Sequence, residues 1–546
     1  MPYFCVILDS FRHDPSSAAK TDFLFQGGMS MLQIQKLSIY HKKDLRTILN
    51  DFTFSLNPGD KAVLIGEEGN GKSTLLRWLY DPQSVEEYAE VTGSRILSGE
   101  TLGYLPQELP DCDKEKSIYE YFCQCEQFFD LTPKELGQLA AQLHLPTDFF
   151  YGDQCMSSLS GGEKVKIQLA RLLMAQPTIL LLDEPSNDLD LETLRWLEQF
   201  IRDCPQSVLF ISHDEILISR CANVVIHLEQ LRRKTVSRST VFRGNYEDYI
   251  RQRNAAFQNQ VREALNDQRQ EKIREEKFQR LYQQVEHAQA TVSRQDPHGG
   301  QLLKKKMKAV KSMEKRFERE HEAMRQLPEE EEAIFLRFGE DISIPNGKIM
   351  IDYSLSELKT ADKERILARN IQLLVKGQQK VCIIGRNGCG KTTLLKQLAE
   401  ELLQRSDIRA AYMPQNYEDL LELEQTPVDF LAPGGSKEDI TRARTFLGSM
   451  KYTTQEMEHP IRELSGGQKA KVLLLKMSFS DADVLILDEP TRNFSPLSAP
   501  VIRDVLKHYG GVIISISHDR KYISEVCDCV YRLTEQGLLK LDHFEA

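Results

Sequence analysis

Residues 66–74, which read G-E-E-G-N-G-K-S-T, have the composition of a phosphate-binding loop. They follow the apolar residues 62–65 and precede a helix-like segment that begins near Leu75. A strand, a glycine-rich turn and a helix in this order direct backbone N–H groups at an anion, and Lys72 adds a positive charge. The hydroxyl of Ser73 suits Mg²⁺, a cation that prefers oxygen ligands. The sequence therefore predicts a nucleotide-phosphate site at this loop.

The sequence motifs of this region occur twice in the chain. A second loop, G-R-N-G-C-G-K-T-T, spans residues 385–393 and follows the apolar residues 381–384. Three further motifs recur at a common offset of 305 residues: Leu-Ser-Gly-Gly at 159–162 and 464–467, Asp-Glu-Pro at 183–185 and 488–490, and Ser-His-Asp at 212–214 and 517–519. Four matched elements in one order indicate a duplicated domain.

Length and composition restrict the class of protein. A chain of 546 residues exceeds a single hydrophobic core, so several domains are expected. The net charge of -11 argues against a protein that coats nucleic acid with its whole surface. The 11 cysteines have no metal-binding spacing, which favours reduced thiols in a cytoplasmic protein. No apolar run approaches the ~20 residues that cross a bilayer, so we expect no membrane domain.

The chain divides into four segments. Residues 31–245 and 329–546 contain the two copies, and residues 246–328 connect them. Residues 1–30 are expected to be a disordered extension or the product of an upstream start. Their apolar stretch from Tyr3 to Leu8 lacks the basic region and cleavage site of a signal peptide.

The connecting segment has the pattern of a helical hairpin. Residues 246–294 and 301–327 contain no glycine or proline, and a tip at 295–300 holds Pro297 and two glycines. A first arm of ~45 residues would be about 65 to 70 Å long. Residues 251–327 carry 18 Lys or Arg and 11 Asp or Glu, a charge of +7 in an acidic chain.

This basic charge has two interpretations. It is compatible with a solvated connector, but a basic rod on an acidic protein favours contact with a polyanion. The candidate RNA-binding residues lie at or beside the tip: Arg294, His298, Lys304, Lys305, Lys306, Lys308 and Lys311.

The repeated loops, Leu-Ser-Gly-Gly signatures, Asp-Glu pairs and histidines resemble tandem ATP-binding cassettes. Two cassettes without membrane helices, joined by a long charged hairpin, resemble the ABC-F family over residues 31–546. The stretch G-N-Y-E-D-Y at 244–249 adds to the likeness. The resemblance implies an α/β fold with two ATP-binding cassette (P-loop NTPase) domains and a long α-helical hairpin linker between them.

The resemblance also implies an Mg²⁺-dependent ATPase with two composite sites, because in this family each signature faces the phosphate loop of the opposite cassette. Glu184 and Glu489 are the candidate bases for attacking water, and His213 and His518 would contact the γ-phosphate. The expected metal-site residues are Ser73, Gln107, Asp183, Thr392, Gln415 and Asp488. The expected ATP-binding residues are Tyr40, Gly66, Glu67, Glu68, Gly69, Asn70, Gly71, Lys72, Ser73, Thr74, Gln107, Ser160, Gly161, Gly162, Glu163, Gly385, Arg386, Asn387, Gly388, Cys389, Gly390, Lys391, Thr392, Thr393, Gln415, Ser465, Gly466, Gly467 and Gln468.

Two positions depart from the symmetry of the repeat. Ser495 stands where the first copy has Asp190, so a charge is lost where the cassettes should meet. This predicts unequal hydrolysis at the two sites. Tyr40 lies 26 residues before Gly66 and could stack on adenine or pack inward in a strand, whereas Lys359 has that position in the second copy.

The family's proteins resemble translation factors that enter the ribosomal tRNA exit site and direct the hairpin towards the peptidyl-transferase centre, so ribosomal RNA and P-site tRNA are the expected partners. Gln107 and Ser160 are 53 residues apart, against 50 for Gln415 and Ser465. The first cassette therefore has no inserted arm. In the family, housekeeping members often have such an arm and resistance members usually lack it, so the resemblance favours protection against antibiotics. Resistance members also often extend the hairpin tip, so the short tip here favours a housekeeping role.

Three other classes fit less well. An exporter subunit would need separate membrane partners, and a chromosome or repair ATPase would place its coiled coil inside one cassette. An inactive scaffold conflicts with the presence of Glu184 and Glu489. We expect a monomer whose two cassettes pair within the chain.

Overall fold

The computed structural model describes residues 31–43, 45–231, 234–291, 304–310, 312–313, 338, 342, 344–360 and 365–544. The extension at 1–30, the expected tip at 295–300, and the candidate RNA contacts Arg294, His298 and Lys311 lie outside these residues. Within the described ranges, the chain forms no helix with the length and apolar character that a membrane span needs.

The described strands are β1 (Leu32–His41), β2 (Thr47–Leu56), β3 (Lys61–Ile65), β4 (Ala89–Leu97), β5 (Leu102–Leu105), β6 (Ile179–Leu182), β7 (Ser207–Ile211), β8 (Val224–Leu231), β9 (Val236–Arg243), β10 (Ile349–Lys359), β11 (Ile366–Lys376), β12 (Lys380–Ile384), β13 (Ala410–Met413), β14 (Val484–Asp488), β15 (Val512–Ile516), β16 (Cys529–Thr534) and β17 (Gly537–Leu541).

The described helices are α1 (Lys72–Tyr80), α2 (Pro82–Glu86), α3 (Asp111–Lys114), α4 (Ile118–Cys123), α5 (Gln127–Asp130), α6 (Pro133–Gln142), α7 (Gly161–Met174), α8 (Leu191–Asp203), α9 (Glu215–Cys221), α10 (Tyr246–Thr291), α11 (Lys391–Gln404), α12 (Pro427–Leu431), α13 (Lys437–Ser449), α14 (Thr454–Glu458), α15 (Gly466–Phe479), α16 (Ala499–Lys507) and α17 (Arg520–Val526). Short 3₁₀ helices occur at Thr147–Tyr151, Met156–Ser158, Tyr417–Asp419 and Ile461–Glu463.

Each cassette is built on a six-stranded sheet. The orders are β5-β6-β7-β3-β8-β9 and β13-β14-β15-β12-β16-β17, so equivalent strands occupy equivalent places. All neighbours are parallel except the last pair in each sheet. The central strands β3 and β12 are continuous apolar runs because helices cover both faces of a parallel sheet. The predicted α/β fold with two cassettes is confirmed.

A smaller antiparallel sheet packs beside each nucleotide loop, in the order β2-β1-β4 in the first copy and β10-β11 in the second. This packing explains the glycine before each loop lysine. Gly71 and Gly390 have φ of 85° and 99°, and a Cβ atom on either would meet Ile48 or Leu367 of the small sheet. The small sheets therefore define one wall of each nucleotide site.

Short helices fill the interval between nucleotide loop and signature in both copies, with α3–α6 in the first and α12–α14 in the second. Their starts have local caps, such as the capping boxes of Ser117 with Glu120 and Thr132 with Glu135. The described part of the first interval contains no long helical arm.

The linker begins with the 46-residue helix α10, about 69 Å long at the usual rise per residue. Residues 304–310 are also helical, and Lys304, Lys305, Lys306 and Lys308 are exposed there. Most described side chains of α10 beyond its start are exposed, and near the start Tyr249 and Arg253 contact the first cassette.

Candidate functional site

Both nucleotide loops are held in shape by their own lysines. Lys72 Nζ donates to the carbonyl oxygens of Gly66 at 2.8 Å and Glu67 at 3.0 Å. Lys391 does the same with Gly385 at 2.9 Å and Arg386 at 3.0 Å. Because each lysine is the first residue of a helix, the loop places an ammonium group and helical N–H groups together, an arrangement that binds phosphate.

Oxygen ligands suited to Mg²⁺ lie beside each loop. Ser73 Oγ donates to Asp183 Oδ1 at 2.9 Å, and burial raises the pKa of Asp183. Burial also raises the pKa of Asp488 to about 6, against the opposing effect of its hydrogen bond with Thr392. Asp488 Oδ2 is buried with no hydrogen-bond partner among the described residues. A buried carboxylate oxygen of this kind is compatible with a hard divalent cation.

The candidate bases follow these aspartates in a strained conformation. Glu184 and Glu489 have φ of 50° and 54°, the left-handed region that non-glycine residues rarely adopt. Both glutamates follow the end of a strand, and each lines the cavity beside its loop, where strained backbone is often part of a functional site.

The surroundings of the two glutamates differ. Glu184 contacts His213 Nε2 at 3.1 Å, Gln107 Nε2 at 3.3 Å and the amide of Asn187. Burial alone would raise the pKa of Glu184, but His213, Lys72 and Asn187 lower it to about 2. Glu184 is therefore ionised and oriented.

In the second copy, burial and the neighbouring Asp488 raise the pKa of Glu489 to about 8. His518 Nε2 lies 3.8 Å from Glu489 Oε1, and burial lowers the pKa of His518 to about 3. This Glu–His pair is thus looser than its counterpart, and it lacks the strong ionic stabilisation of Glu184.

Each signature caps its own helix. Ser160 and Ser465 are the N-caps of α7 and α15, and both form capping boxes, with Glu163 and Gln468 respectively. Glu163 Oε2 accepts hydrogen bonds from the backbone N–H of Ser160 at 2.9 Å and from its hydroxyl at 2.7 Å. The side chains of Glu163 and Gln468, which we expected at ATP, are thus engaged at the starts of their own helices.

The second signature lies against the first nucleotide loop. Glu68 Oε1 accepts a hydrogen bond from the Gly466 N–H at 3.2 Å, and Glu68 also accepts one from Gly467. A carboxylate of the loop therefore occupies the N–H groups at the start of α15, where an anion is favoured. We refer to this junction as the first site.

The altered position Ser495 contacts the neighbouring acid of the same loop. Glu67 Oε1 accepts from Ser495 Oγ at 2.7 Å and also from Ser498, while Lys471 Nζ lies 3.3 Å from Glu67 Oε2. Burial alone would raise the pKa of Glu67, but Lys471 and the two serines lower it to about 2. An aspartate at 495 would face this carboxylate, so the loss of charge at 495 is matched by a charge in the opposite loop.

At the second site, which lies around the Lys391 loop, the acidic residues are on the opposite side of the junction. Asp190 Oδ2 accepts from the Asn387 N–H at 3.5 Å, and the Asn387 amide donates to the Asp188 carbonyl. Arg386 pairs with Glu192 at 3.3 Å, although both side chains are largely exposed. Here the acidic residues belong to residues 188–192 of the first cassette, and the nucleotide loop of the second cassette is neutral or basic.

Cavity size separates the two sites further. The second cavity, of about 600 Å³, is lined from both cassettes, with Gly161 and Asp188 facing Lys391, Gln415 and Glu489. The first cavity, of about 190 Å³, is lined by Glu68, Lys72, Gln107, Glu184 and Asn493. Ligand pockets usually hold about 300–1,000 Å³, so the second cavity has the usual size and the first is smaller.

Some lining residues were not predicted. Ile48 lines the first cavity, and Thr360 and Leu367 line the second. Tyr40 pairs with Thr47 and Glu90 in the small sheet and is not among the described residues that line the first cavity. Asn493, which lines the first cavity opposite the Lys72 loop, belongs to the altered stretch 493–495 that the sequence predicted to lie against this loop.

Comparison with known proteins finds similarity to ATP-binding cassette proteins in both halves of the chain. The family model described as ABC transporter matches residues 49–187 and 368–492, one segment in each cassette. An ABC transporter F family member 2 from Arabidopsis thaliana is 24% identical over 90% of this chain and 75% of its own length. The chain is thus similar to an ABC-F protein and carries an ABC transporter match in each cassette. It is an ATPase of tandem cassettes.

The chain is also similar to bacterial proteins along most of its length. It is 29% identical to the ribosome protection protein VmlR of Bacillus subtilis (strain 168), over 92% of this chain and 86% of that protein. It is 27% identical to the probable ATP-binding protein YbiT of Escherichia coli O157:H7, over 90% and 94%.

Among solved structures, the complex of the archaeal ribosomal stalk protein with the archaeal ribosome recycling factor aligns with a TM-score of 0.54 at 17% identity. The alignment covers 92% of this chain and 90% of that one. At this identity the likeness supports the tandem-cassette fold alone.

Proposed function

We propose that this protein binds ATP between its cassettes to position the hairpin on the ribosome, in the tRNA exit site and towards the peptidyl-transferase centre. One chain of contacts carries the proposal. Glu67 of the first nucleotide loop accepts from Ser495, and the next residue, Pro496, accepts through its carbonyl from the Tyr246 hydroxyl at 3.3 Å. Tyr246 is the buried first residue of α10. The start of the hairpin, which we call its root, therefore contacts the loop of Ser495 and Pro496, and this loop is bonded to Glu67 at the first site.

The same root is attached to the first cassette. Tyr249 OH lies 2.7 Å from His227 Nδ1 on β8, and Arg253 lies 3.5 Å from Glu229. Separation of the cassettes would break the Tyr246 contact and keep these two. For a helix about 69 Å long, a rotation of about 10° at the root moves the far end by about 12 Å. Opening and closing of the sites thus becomes motion of the hairpin.

The charge of the hairpin supports an RNA partner. Residues 251–327 carry a net +7 in a chain of -11, and four of the candidate lysines are exposed at 304–308. Such a segment is drawn to RNA phosphates, whereas the rest of the surface repels them. We assign ribosomal RNA and P-site tRNA as the contacts of this segment.

The proposed roles of the site residues follow from phosphoryl transfer. Lys72 and Lys391, with the N–H groups of their loops, hold the β- and γ-phosphates. Ser73 with Asp183, and Thr392 with Asp488, hold Mg²⁺, which neutralises phosphate charge when bound. Glu184 accepts the proton of attacking water directly, whereas Glu489 does so only in its ionised form; Gln107 and Gln415 help to orient the water. His213 and His518 contact the γ-phosphate, and the signature of the opposite cassette completes each site.

Protection of translation from antibiotics is the activity we favour. It is supported by the similarity to a protein named a ribosome protection protein and by the lack of an inserted arm between β5 and α7 in the described residues. A housekeeping translation role is the alternative outcome of the experiment below.

The test uses a Glu184→Gln, Glu489→Gln double variant, which should bind ATP but not hydrolyse it. We expect ribosomes to co-purify with this variant in ATP, and not with a Lys72→Ala, Lys391→Ala control. If the two variants recover equal amounts of ribosomes, the ribosomal function is wrong.

Growth of cells with and without the wild-type protein then separates the two roles. Increased tolerance of drugs that bind at the peptidyl-transferase centre supports protection. A growth defect in the absence of drugs, with unchanged tolerance, supports housekeeping.

A further inference from the structure

Four charged side chains are buried where the two cassettes meet beyond the nucleotide sites. Glu198 and Glu215 belong to the first cassette, and Arg503 and Arg520 to the second; they are 7%, 8%, 3% and 1% exposed. Arg503 Nη1 donates to Glu215 Oε1 at 2.6 Å, and Arg520 is paired with Glu198. Two buried ion pairs thus join the cassettes.

The two pairs are related by the internal repeat. At the offset of 305, Glu198 corresponds to Arg503 and Glu215 to Arg520. The structure supports the correspondence, because Glu215 and Arg520 are the first residues of α9 and α17, two residues after the histidines His213 and His518. Exchange of one cassette for the other converts one ion pair into the other, with both charges reversed.

The reversal extends to a third position. Arg220 Nη1 donates to Glu198 at 3.0 Å within the first cassette, and Arg503 Nε donates to Glu525 at 2.7 Å within the second. Arg220 and Glu525 are also 305 residues apart. Three equivalent positions therefore read Glu, Glu, Arg in one cassette and Arg, Arg, Glu in the other.

The remaining charges near these positions do not follow the reversal. Asp214 and Asp519 are aspartates in both copies, and each caps its own helix through two backbone N–H groups. Asp214 lies 3.0 Å from Arg520, and Asp519 lies 3.8 Å from Arg503. Lys521 adds a contact with Glu215 at 3.0 Å. These groups are compatible with the arrangement of charges in the wild type but do not produce the charge reversal between the cassettes.

Buried charges strongly discriminate between partners, because an unpaired or like-charged neighbour is far costlier than at an exposed surface. Two copies of the first cassette in this geometry would bring Glu198 against Glu215. Two copies of the second would bring Arg503 against Arg520. Only unlike cassettes place opposite charges together at both positions.

We propose that this charge reversal makes each cassette a partner for the opposite cassette alone and prevents pairs of identical cassettes. The acidic first nucleotide loop then always meets the second signature and Ser495. The two unequal ATP sites are preserved by an interface remote from the nucleotide. The inference does not depend on a ribosomal role.

The test uses three full-length variants. The first carries Glu198→Arg, Glu215→Arg and Arg220→Glu; the second carries Arg503→Glu, Arg520→Glu and Glu525→Arg; the third combines all six. We expect the ATPase rate of either triple variant to fall by about a hundredfold. The six-residue variant should recover to within about tenfold of wild type, because opposite charges face each other again.

Mixing the two triple variants gives a second measurement. Each has like charges within its own chain, but the two chains together offer two complementary pairings. We expect the mixture to regain activity and to form a complex of two chains by light scattering, which neither variant forms alone. A control with exposed charges reversed in each cassette, Glu115→Arg with Lys437→Glu, should match wild type.

Wild-type rates in both triple variants would overturn the proposal. So would a folded six-residue variant as inactive as its parents together with a mixture that neither recovers nor associates. If a variant does not fold, the single exchange Glu215→Arg with Arg503→Glu, compared with each single substitution, decides the same question: failure of the pair to improve on the singles contradicts the proposal.

Discussion

The carboxylate of Glu68 accepts a hydrogen bond from the backbone N–H of Gly466 at 3.2 Å, across 398 residues of sequence. Gly467 donates to the same carboxylate. These N–H groups lie at the start of α15. If ATP binds between the cassettes as proposed, a phosphate of the ATP at Lys72 would lie at the same N–H groups. We therefore expect Glu68 of the first nucleotide loop to compete with the nucleotide for the second signature.

Substitution Glu68→Asn should strengthen ATP binding at the first site by about tenfold, because it removes a negative charge beside the phosphates. Binding is best measured by titration in a Lys391→Ala background, so that the second site does not contribute. The reciprocal control, Asn387→Glu in a Lys72→Ala background, should weaken binding at the second site. Unchanged affinity in both variants would show that Glu68 does not compete with the nucleotide.

Substitution Ser495→Asp should destabilise the closed first site by about 3 kcal/mol, since the new carboxylate would lie beside the buried, ionised Glu67. Distance measurements between labels on the two cassettes would report the opening. Glu67→Arg in the same chain should restore closure, because it reproduces the acid-and-base arrangement of the second site. A Ser495→Asp variant that stays closed would contradict this interpretation.

The two glutamates should differ in their contribution to hydrolysis. Glu184 is ionised and held by His213, whereas burial and Asp488 keep the pKa of Glu489 at about 8. We expect Glu184→Gln to lower the single-turnover rate by about a hundredfold and Glu489→Gln by about tenfold. Glu438→Gln, at an exposed position, is the control. Equal losses from the two substitutions would refute unequal sites.

Stability should depend on pH through His227 at the hairpin root. Burial lowers the pKa of His227 to about 4, against 6.5 for an ordinary histidine. Between these values the unfolded chain binds a proton that the folded chain does not. The contribution of His227 to the free energy of unfolding is complete above about pH 6.5. Below that pH it falls by about 1.4 kcal/mol for each pH unit, until about pH 4.

Thermal unfolding of wild type and His227→Gln between pH 5 and 7.5 measures this dependence. The midpoint of the wild type should fall more steeply on acidification than that of the variant, while substitution of the exposed His508 should leave the slope unchanged. Parallel slopes for wild type and His227→Gln would exclude His227 as the source.

The sequence alone determined the elements whose chemistry is local. A glycine loop ending in lysine, a serine followed three residues later by Glu163 or Gln468, and an apolar strand before Asp183 specify their structure through contacts only a few residues apart. Repetition at one offset then established two cassettes. The long glycine-free run of the linker likewise predicted α10, because helical hydrogen bonds span four residues.

The tertiary structure decided which of these elements face each other. Sequence identified Ser495 as a lost charge, but packing of two domains brought it to Glu67, which lies 428 residues away. Tyr40 had the spacing of a stacking residue, yet its strand register places it away from the described lining of the cavity. The reversal of charge between Glu198 and Arg503 is visible in the repeat, but it acquires meaning only when α8, α9, α16 and α17 meet. Such contacts depend on the relative placement of rigid domains, which no local pattern of residues encodes.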